Sequence, residues 1–136
     1  MKTYKRKGYD IEITLIQNSI LPPKGYSAIN LGLVFTRDAL KVSDETIRHE
    51  VIHTLQTREL LYIPYYLLYV LEYIVKLLFY IFKSIGSPPL GGFRGLHKKA
   101  YYSISFEQEA NKNSKNLNYQ RERKRFAFAR YIFKII

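Results

Sequence analysis

The alternation of apolar and polar residues changes period along the chain, and each change predicts an element. Tyr9 to Ile16 alternates in part and is rich in β-branched residues (Ile11, Ile13, Thr14, Ile16). It reads as a short strand ending at Asn18-Ser19 and the Pro22-Pro23-Lys24-Gly25 turn. A second strand is predicted from about Ala28 to Phe35, through Ile29, Leu31, Leu33 and Val34, with Gly32 marking a bulge or a close backbone approach. Two or three strands this short do not hold together alone, so they require helices to pack on.

From Ser43 the period lengthens to that of a helix. Ser43-Asp44-Glu45-Thr46 supplies an N-cap and an acidic first turn, and Ile47, Val51 and Leu55 recur at spacing four as a buried face. Pro64 should end or kink this helix. Leu60 to Phe82 is the most apolar stretch, with Glu72 and Lys76 as its only charges. A helix from about Tyr65 to Lys83 would be close to the ~20 residues a bilayer span requires. Tyr65, Tyr69, Glu72, Tyr73, Lys76, Tyr80 and Lys83 form one stripe, and Glu72 is placed to pair with Lys76. One stripe of this kind packs on protein, leaving the other sides to lipid or to core.

Ser84 to Gly95, including Ser87-Pro88-Pro89-Leu90-Gly91-Gly92, is expected to be a loop. A third helix should run from near His97 through Asn111. A last helix is predicted across Tyr119 to Ile136, with Phe126, Ala129, Phe133 and Ile136 on an apolar face and Arg123, Arg130 and Lys134 largely opposite. Such a basic, aromatic helix suits an anionic membrane surface; equally, its phenylalanines would cap the core of the domain while its arginines stay solvated. The fold expected is a single α+β domain over residues 1–136. Residues 1–42 form a short antiparallel β part, and residues 43–136 a predominantly helical part with an apolar helix at about 60–83 and a basic helix at about 119–136.

Composition narrows the partners. The 136 residues are 47% hydrophobic and 15% aromatic, enough for a core, which excludes a disordered chain. A net charge of +11 points to anionic partners, either a membrane surface or nucleic acid. Nucleic acid is disfavoured because the basic residues are spread over both termini instead of interleaving in a recognisable binding fold. There is no cysteine, so disulfides and thiolate metal sites are excluded, and a reducing, cytoplasmic compartment fits. The basic start, Met1 to Tyr9, is followed by Asp10 and Glu12 without a small-residue cleavage site, so no cleaved signal peptide is expected.

The candidate chemistry lies at His49-Glu50-Val51-Ile52-His53, an HExxH in a chain with three histidines. On a helix, imidazoles four residues apart share one face, a geometry that suits zinc. Catalytic zinc takes three protein ligands, and the residues left to supply the third are His97, Glu107 and Glu109. Glu107 and Glu109 point about 200° apart on an ideal helix, so only one of them can ligate. Gln56, one turn beyond His53, would orient a ligand or substrate, or simply be solvated. The alternative for the motif as a whole is two surface-helix histidines beside a solvated acid.

The arrangement resembles that of the gluzincin metallopeptidases, where a glutamate on a later, crossing helix completes the zinc site. In their membrane-embedded, prenyl-protease-like branch that ligand stands in a Glu-x-x-Ala-Asp pattern, which Glu107-Gln108-Glu109-Ala110-Asn111 matches up to its last residue. The resemblance implies Glu107 as the third ligand, Glu109 as the alternative, and Asn111 beside a ligating imidazole where the family has aspartate. From Ala28 onward the chain is also similar to small bacterial proteins with an Arg-His-Glu-x-Ile-His-Thr-x-Gln core, a proline-broken aromatic helix and an Ala-Tyr-x-x-Ile-Ser-Phe-Glu-x-Glu-Ala segment. Here these are Arg48 to Gln56, Tyr62 to Phe82 and Ala100 to Ala110.

What the resemblance implies is a minimal gluzincin with Zn2+ as cofactor, hydrolysing a peptide or protein at the cytoplasmic side of a membrane, or free in the cytoplasm. Glu50 would be the general base and Tyr101, Tyr102 or His97 a donor to the oxyanion or substrate. The strand at 28–35 would be an edge to which an extended peptide adds. The competing implication is a relative that binds zinc without turnover, or a basic module for membrane or nucleic-acid surfaces.

Overall fold

The first strand lies where the sequence shows only basic charge. In this computed structural model, which describes residues 2–86 and 91–135, Lys2–Gly8 (β1) pairs antiparallel with Ile11–Gln17 (β2) through the Tyr9-Asp10 turn. Lysines hide its alternation: Tyr4, Arg6 and Gly8 turn inward while Lys5 and Lys7 face water. Arg6 then reaches the Val42 carbonyl (3.1 Å) and Asp44 (2.6 Å), fastening the hairpin to the following helix.

The predicted strand from Ala28 to Phe35 is two strands, Ile29–Asn30 (β3) and Val34–Thr36 (β4). Gly32 is neither a bulge nor a close approach. It turns the chain at φ +94°, and the Asn30 side chain accepts its N–H at 3.0 Å. β4 lies parallel to β2, so the sheet order is β1-β2-β4-β3 and the β part is mixed instead of wholly antiparallel. β3 is left as an outer edge.

The helix Asp44–Glu59 (α1) starts as expected, with the Ser43 hydroxyl accepting the Thr46 N–H at 3.1 Å. Its Ile47 and Val51 are buried against Ile13, Leu15 and Val34 of the sheet, with Leu55 partly buried beside them. Pro64 falls in the first turn of Ile63–Lys83 (α2), where its missing N–H costs nothing. The stripe on α2 packs inward as expected, with Tyr65, Lys76 and Tyr80 buried and Tyr69, Glu72 and Tyr73 half-buried; Lys83 alone is exposed.

The helix predicted from His97 to Asn111 begins earlier and breaks once. It forms Gly92–Ser103 (α3) and Ser105–Asn113 (α4), so Gly92 to Gly95 are helical and not loop; residues 87–90 of the expected loop lie outside the described residues. The break at Ile104 (ψ 132°) is held by the buried ion pair of α2. Glu72 binds Lys76 at 2.6 Å and accepts both the N–H and the hydroxyl of Ser105 at 2.7 Å, capping α4, while Lys76 donates to the Ser103 carbonyl.

The continuous basic helix over 119–136 is absent from the described residues. Tyr119–Glu122 (α5) is followed by a 3-10 turn at Ala127–Tyr131, with Phe126 between them at φ +56°. The inward residues are Ala127, Phe128 and Tyr131, whereas Phe126 is 42% and Phe133 95% exposed; Ile136 lies outside the described residues. Tertiary bonds displace the helical ones here. Arg123 turns in to Glu59 and Glu109, and the Gln108 amide donates to the carbonyls of Tyr131 and Lys134.

The result is α+β, with α1 sandwiched between the sheet on one side and α4 on the other, where Ile52 meets Ala110 and Tyr119. The sheet approaches α1 most closely at Gly8, where a Cβ would lie 2.9 Å from Val51 Cγ2 and 3.0 Å from Ile47 Cγ2. Both contacts are buried, β-branched side chains with little freedom to move. Gly8→Ala is expected to lower stability in urea unfolding by about 1–3 kcal/mol. That outweighs the ~0.4–1 kcal/mol returned by a stiffer unfolded chain.

Candidate metal centre

Because α4 crosses α1, residues more than fifty positions apart in sequence meet. His49 and His53, one turn apart on α1, approach each other at 3.0 Å between Nε2 atoms. Glu107, in the first turn of α4, places one carboxylate oxygen 3.3 Å from His49 Nε2 and the other 3.2 Å from His53 Nε2. One ligand atom from each residue lies within 4.8 Å of the other two, so the group could hold a metal ion. His53 and Glu107 are buried and His49 is half-buried.

The donor set fits a cation in two further respects. Glu107 Oε2 is buried without a hydrogen-bond donor, and so is Glu50 Oε2 beside it. The facing imidazole nitrogens would set lone pair against lone pair unless a proton or a cation lies between them. The tautomer of His53 is fixed from behind. Its Nδ1 is 2.8 Å from Gln56 Oε1, and Gln56 cannot present its amide nitrogen there because that nitrogen donates to the Phe106 carbonyl (3.1 Å) and to Glu109 (2.8 Å). Nδ1 therefore carries a hydrogen in either protonation state, and a metal at Nε2 would displace only the proton held there by Glu107.

Behind Gln56 the chain of polar contacts continues. Glu109, fully buried, accepts from Gln56, from the Tyr119 hydroxyl at 2.9 Å and from Arg123; Arg123 also grips Glu59 in bidentate fashion at 2.9 and 3.1 Å. This corrects three expectations and decides between two readings of Gln56. Glu109 faces away from the histidines as an anchor for Gln56, with no oxygen free for a metal. Gln56 is completely buried against His53, so of its two readings the orienting one holds and the solvated one does not. Asn111 is exposed on the rim of the cavity, and Gln56 takes the place expected of it. His97 is drawn off to Tyr73, 2.5 Å from its hydroxyl, and does not join the group.

Tyr101 and Tyr102 line the same cavity as His49, Glu50, His53 and Glu107. Tyr69 was not anticipated as a site residue, yet its hydroxyl donates to Glu107 Oε1 at 2.7 Å. Its place on the inward tyrosine stripe was the available signal. Asn30 of β3 clamps the edge strand to α1, donating to the Glu50 carbonyl at 3.1 Å and to Thr54 at 3.0 Å. The cavity, of about 630 Å3, thus has the β3 edge on one wall and Tyr65, Tyr66 and Tyr69 of α2 on another.

Charge is concentrated accordingly. Burial alone would raise the Glu107 carboxyl, but the two imidazoles outweigh it and hold it well below the usual range. Burial would lower His53; the charge and hydrogen bond of Glu107, with Glu50 and Gln56, prevail and push it up to about 9. Burial raises Glu50, a shift the imidazoles reduce and Glu107 reinforces, and burial beside Glu107 raises the Tyr101 phenol.

Fold and site together define an α+β domain with a two-histidine, one-carboxylate group that could hold a metal ion. Comparison with protein-family models, curated proteins and solved structures finds no match to the chain.

The geometry makes Glu107 indispensable and Glu109 supportive. Competition titration with a chromophoric chelator should find one divalent ion per chain, absent in Glu107→Ala. Glu109→Gln should bind about 10- to 100-fold more weakly, as loss of a group orienting a ligand does elsewhere. Asn111→Ala should bind as the wild type does.

Proposed function

We propose that this protein is a zinc-dependent peptidase of gluzincin type, with His49, His53 and Glu107 holding the metal and Glu50 as general base. The observation that carries the proposal is the position of Glu50. Its carboxyl is buried beside the His-His-Glu group, with one oxygen unbonded, in a cavity whose other wall is a sheet edge. Two neutral imidazoles and one carboxylate are a donor set used by catalytic zinc. Zinc, when bound, supplies an acidified water and polarises a carbonyl.

The protein residues supply the rest. Glu50 accepts the proton of the attacking water and returns it to the departing amine, a transfer its burial favours by keeping bulk water from the carboxyl. Gln56 keeps His53 in the ligating tautomer throughout. An extended peptide adds to β3 through main-chain hydrogen bonds, and Asn30 fixes the distance from that edge to Glu50. Tyr101 and Tyr102 face the cavity as candidate donors, and burial beside Glu107 keeps the Tyr101 phenol protonated, as donation to an oxyanion requires. The cavity size is suited to holding a substrate segment, since about 300–1,000 Å3 is usual for a ligand site.

The zinc-loaded protein, incubated with a mixed peptide library, should generate products by mass spectrometry. Glu50→Gln should retain one zinc yet lose about 10^2- to 10^4-fold in rate, and chelation should abolish hydrolysis. Products that persist in Glu50→Gln, or a zinc-loaded wild type that cleaves nothing, would overturn the proposal.

A further inference from the structure

One face of α2 packs on the domain; the opposite face is covered by nothing among the described residues. Leu67, Leu71, Ile74, Leu78 and Phe82 recur at helical spacing and are exposed, at 66%, 57%, 46%, 47% and 67%. Apart from Lys83, none of the exposed residues of α2 is charged. By length and composition α2 is long and apolar enough to cross a membrane, with a mean hydropathy of 1.6 over a window only 17% buried. A contiguous apolar face of this extent marks an interaction surface.

We propose that this face seats the protein on an anionic lipid bilayer, with α2 lying in the plane of the interface. Charge selects lipid over a second copy. Each chain carries a net +11, so two copies repel as they approach, whereas anionic headgroups attract. Lys83 at the end of α2 and Arg94, Lys98 and Lys99 on the adjacent α3 are exposed.

The neighbouring helix selects the in-plane orientation. α3 packs along the second half of α2, with Leu96 and Ala100 against Tyr80 and His97 against Tyr73. A spanning α2 would carry Lys98 and Lys99 to the level of the bilayer interior, at about 2.5–3.5 kcal/mol each. Lying flat, the same lysines stay among headgroups while the apolar face enters the acyl boundary. Val70, 55% exposed, and Leu31, 52% exposed, also line the metal cavity, so the seat brings one rim of that cavity to the membrane surface.

Vesicle flotation of the full chain tests the proposal without reference to catalysis. The protein should float with phosphatidylcholine vesicles containing phosphatidylglycerol, and less with phosphatidylcholine alone or at high salt. Leu71→Glu/Leu78→Glu should reduce the bound fraction at least tenfold while circular dichroism and metal stoichiometry stay unchanged. Because the chain has no cysteine, spin labels at Leu71→Cys and Leu78→Cys report depth in an otherwise unaltered protein, and equal depths are expected. Depths differing by about 10 Å, seven residues of helical rise, would mean a spanning helix and overturn the orientation. Absence of flotation, flotation unchanged in the double variant, or a lipid-free dimer that the double variant dissociates would overturn lipid as the occupant.

Discussion

The hydrogen bond from Gln56 to Glu109 is the contact on which the site depends, because it joins the two helices that carry the His-His-Glu group. α1 brings two imidazoles and α4 one carboxylate, and nothing local to either helix sets their separation. The bond lies in a chain from His53 to Glu59, fully buried at Gln56 and Glu109 and partly buried at Arg123 and Glu59, in which each acceptor meets a donor. Satisfied polar networks of this kind are rigid, and removing one member exposes the full desolvation penalty of the next. A buried ion pair stripped of one partner loses about 3–5 kcal/mol, so Arg123 between two carboxylates ties the C-terminal segment firmly to the metal centre.

The apolar helix α2 contributes from the opposite side. Tyr69 bonds Glu107, while Glu72 caps the helix on which Glu107 sits. Placing a carboxylate at that N-terminus satisfies an orphan N–H and complements the helix dipole, so α4 starts at Ser105 and Glu107 falls in its first turn. Had α3 continued unbroken, each residue beyond Ile104 would have followed the α3 axis. The break is therefore what turns a helix packed along α2 into one that crosses α1.

Features written in a local period were legible in the sequence. The capping at Ser43, the buried face of Ile47 and Val51, the inward stripe of α2 and the Glu72–Lys76 pair required only spacing and residue type. The HExxH placed two histidines on one helical face, and the resemblance pointed to Glu107; the structure brings all three together. What escaped was settled by tertiary partners. β1 alternates, but lysines on its outer face mask the pattern. Gly32 was noticed without the Asn30 side chain that makes it a turn. Spacing alone left Gln56 between orienting a ligand and being solvated, because the partners that decide it, Phe106 and Glu109, lie fifty positions away.

The C-terminal segment shows why amphipathic spacing alone misled. Phe126, Ala129 and Phe133 match a helical face, and isolated from the domain nothing in their spacing contradicts it. Yet a helix there would direct Arg123 by its own axis, and Arg123 is the residue with most to gain from another direction, facing Glu59 and Glu109 at once. Two charge-assisted contacts in a buried setting exceed the few tenths of a kcal/mol per residue by which helix propensities differ. The chain therefore follows the arginine, and Phe128, not Phe126, reaches the core beside Phe106. The same choice carries Arg123 to the back of Gln56, so the irregular path of this segment and the fixed tautomer of His53 have one cause.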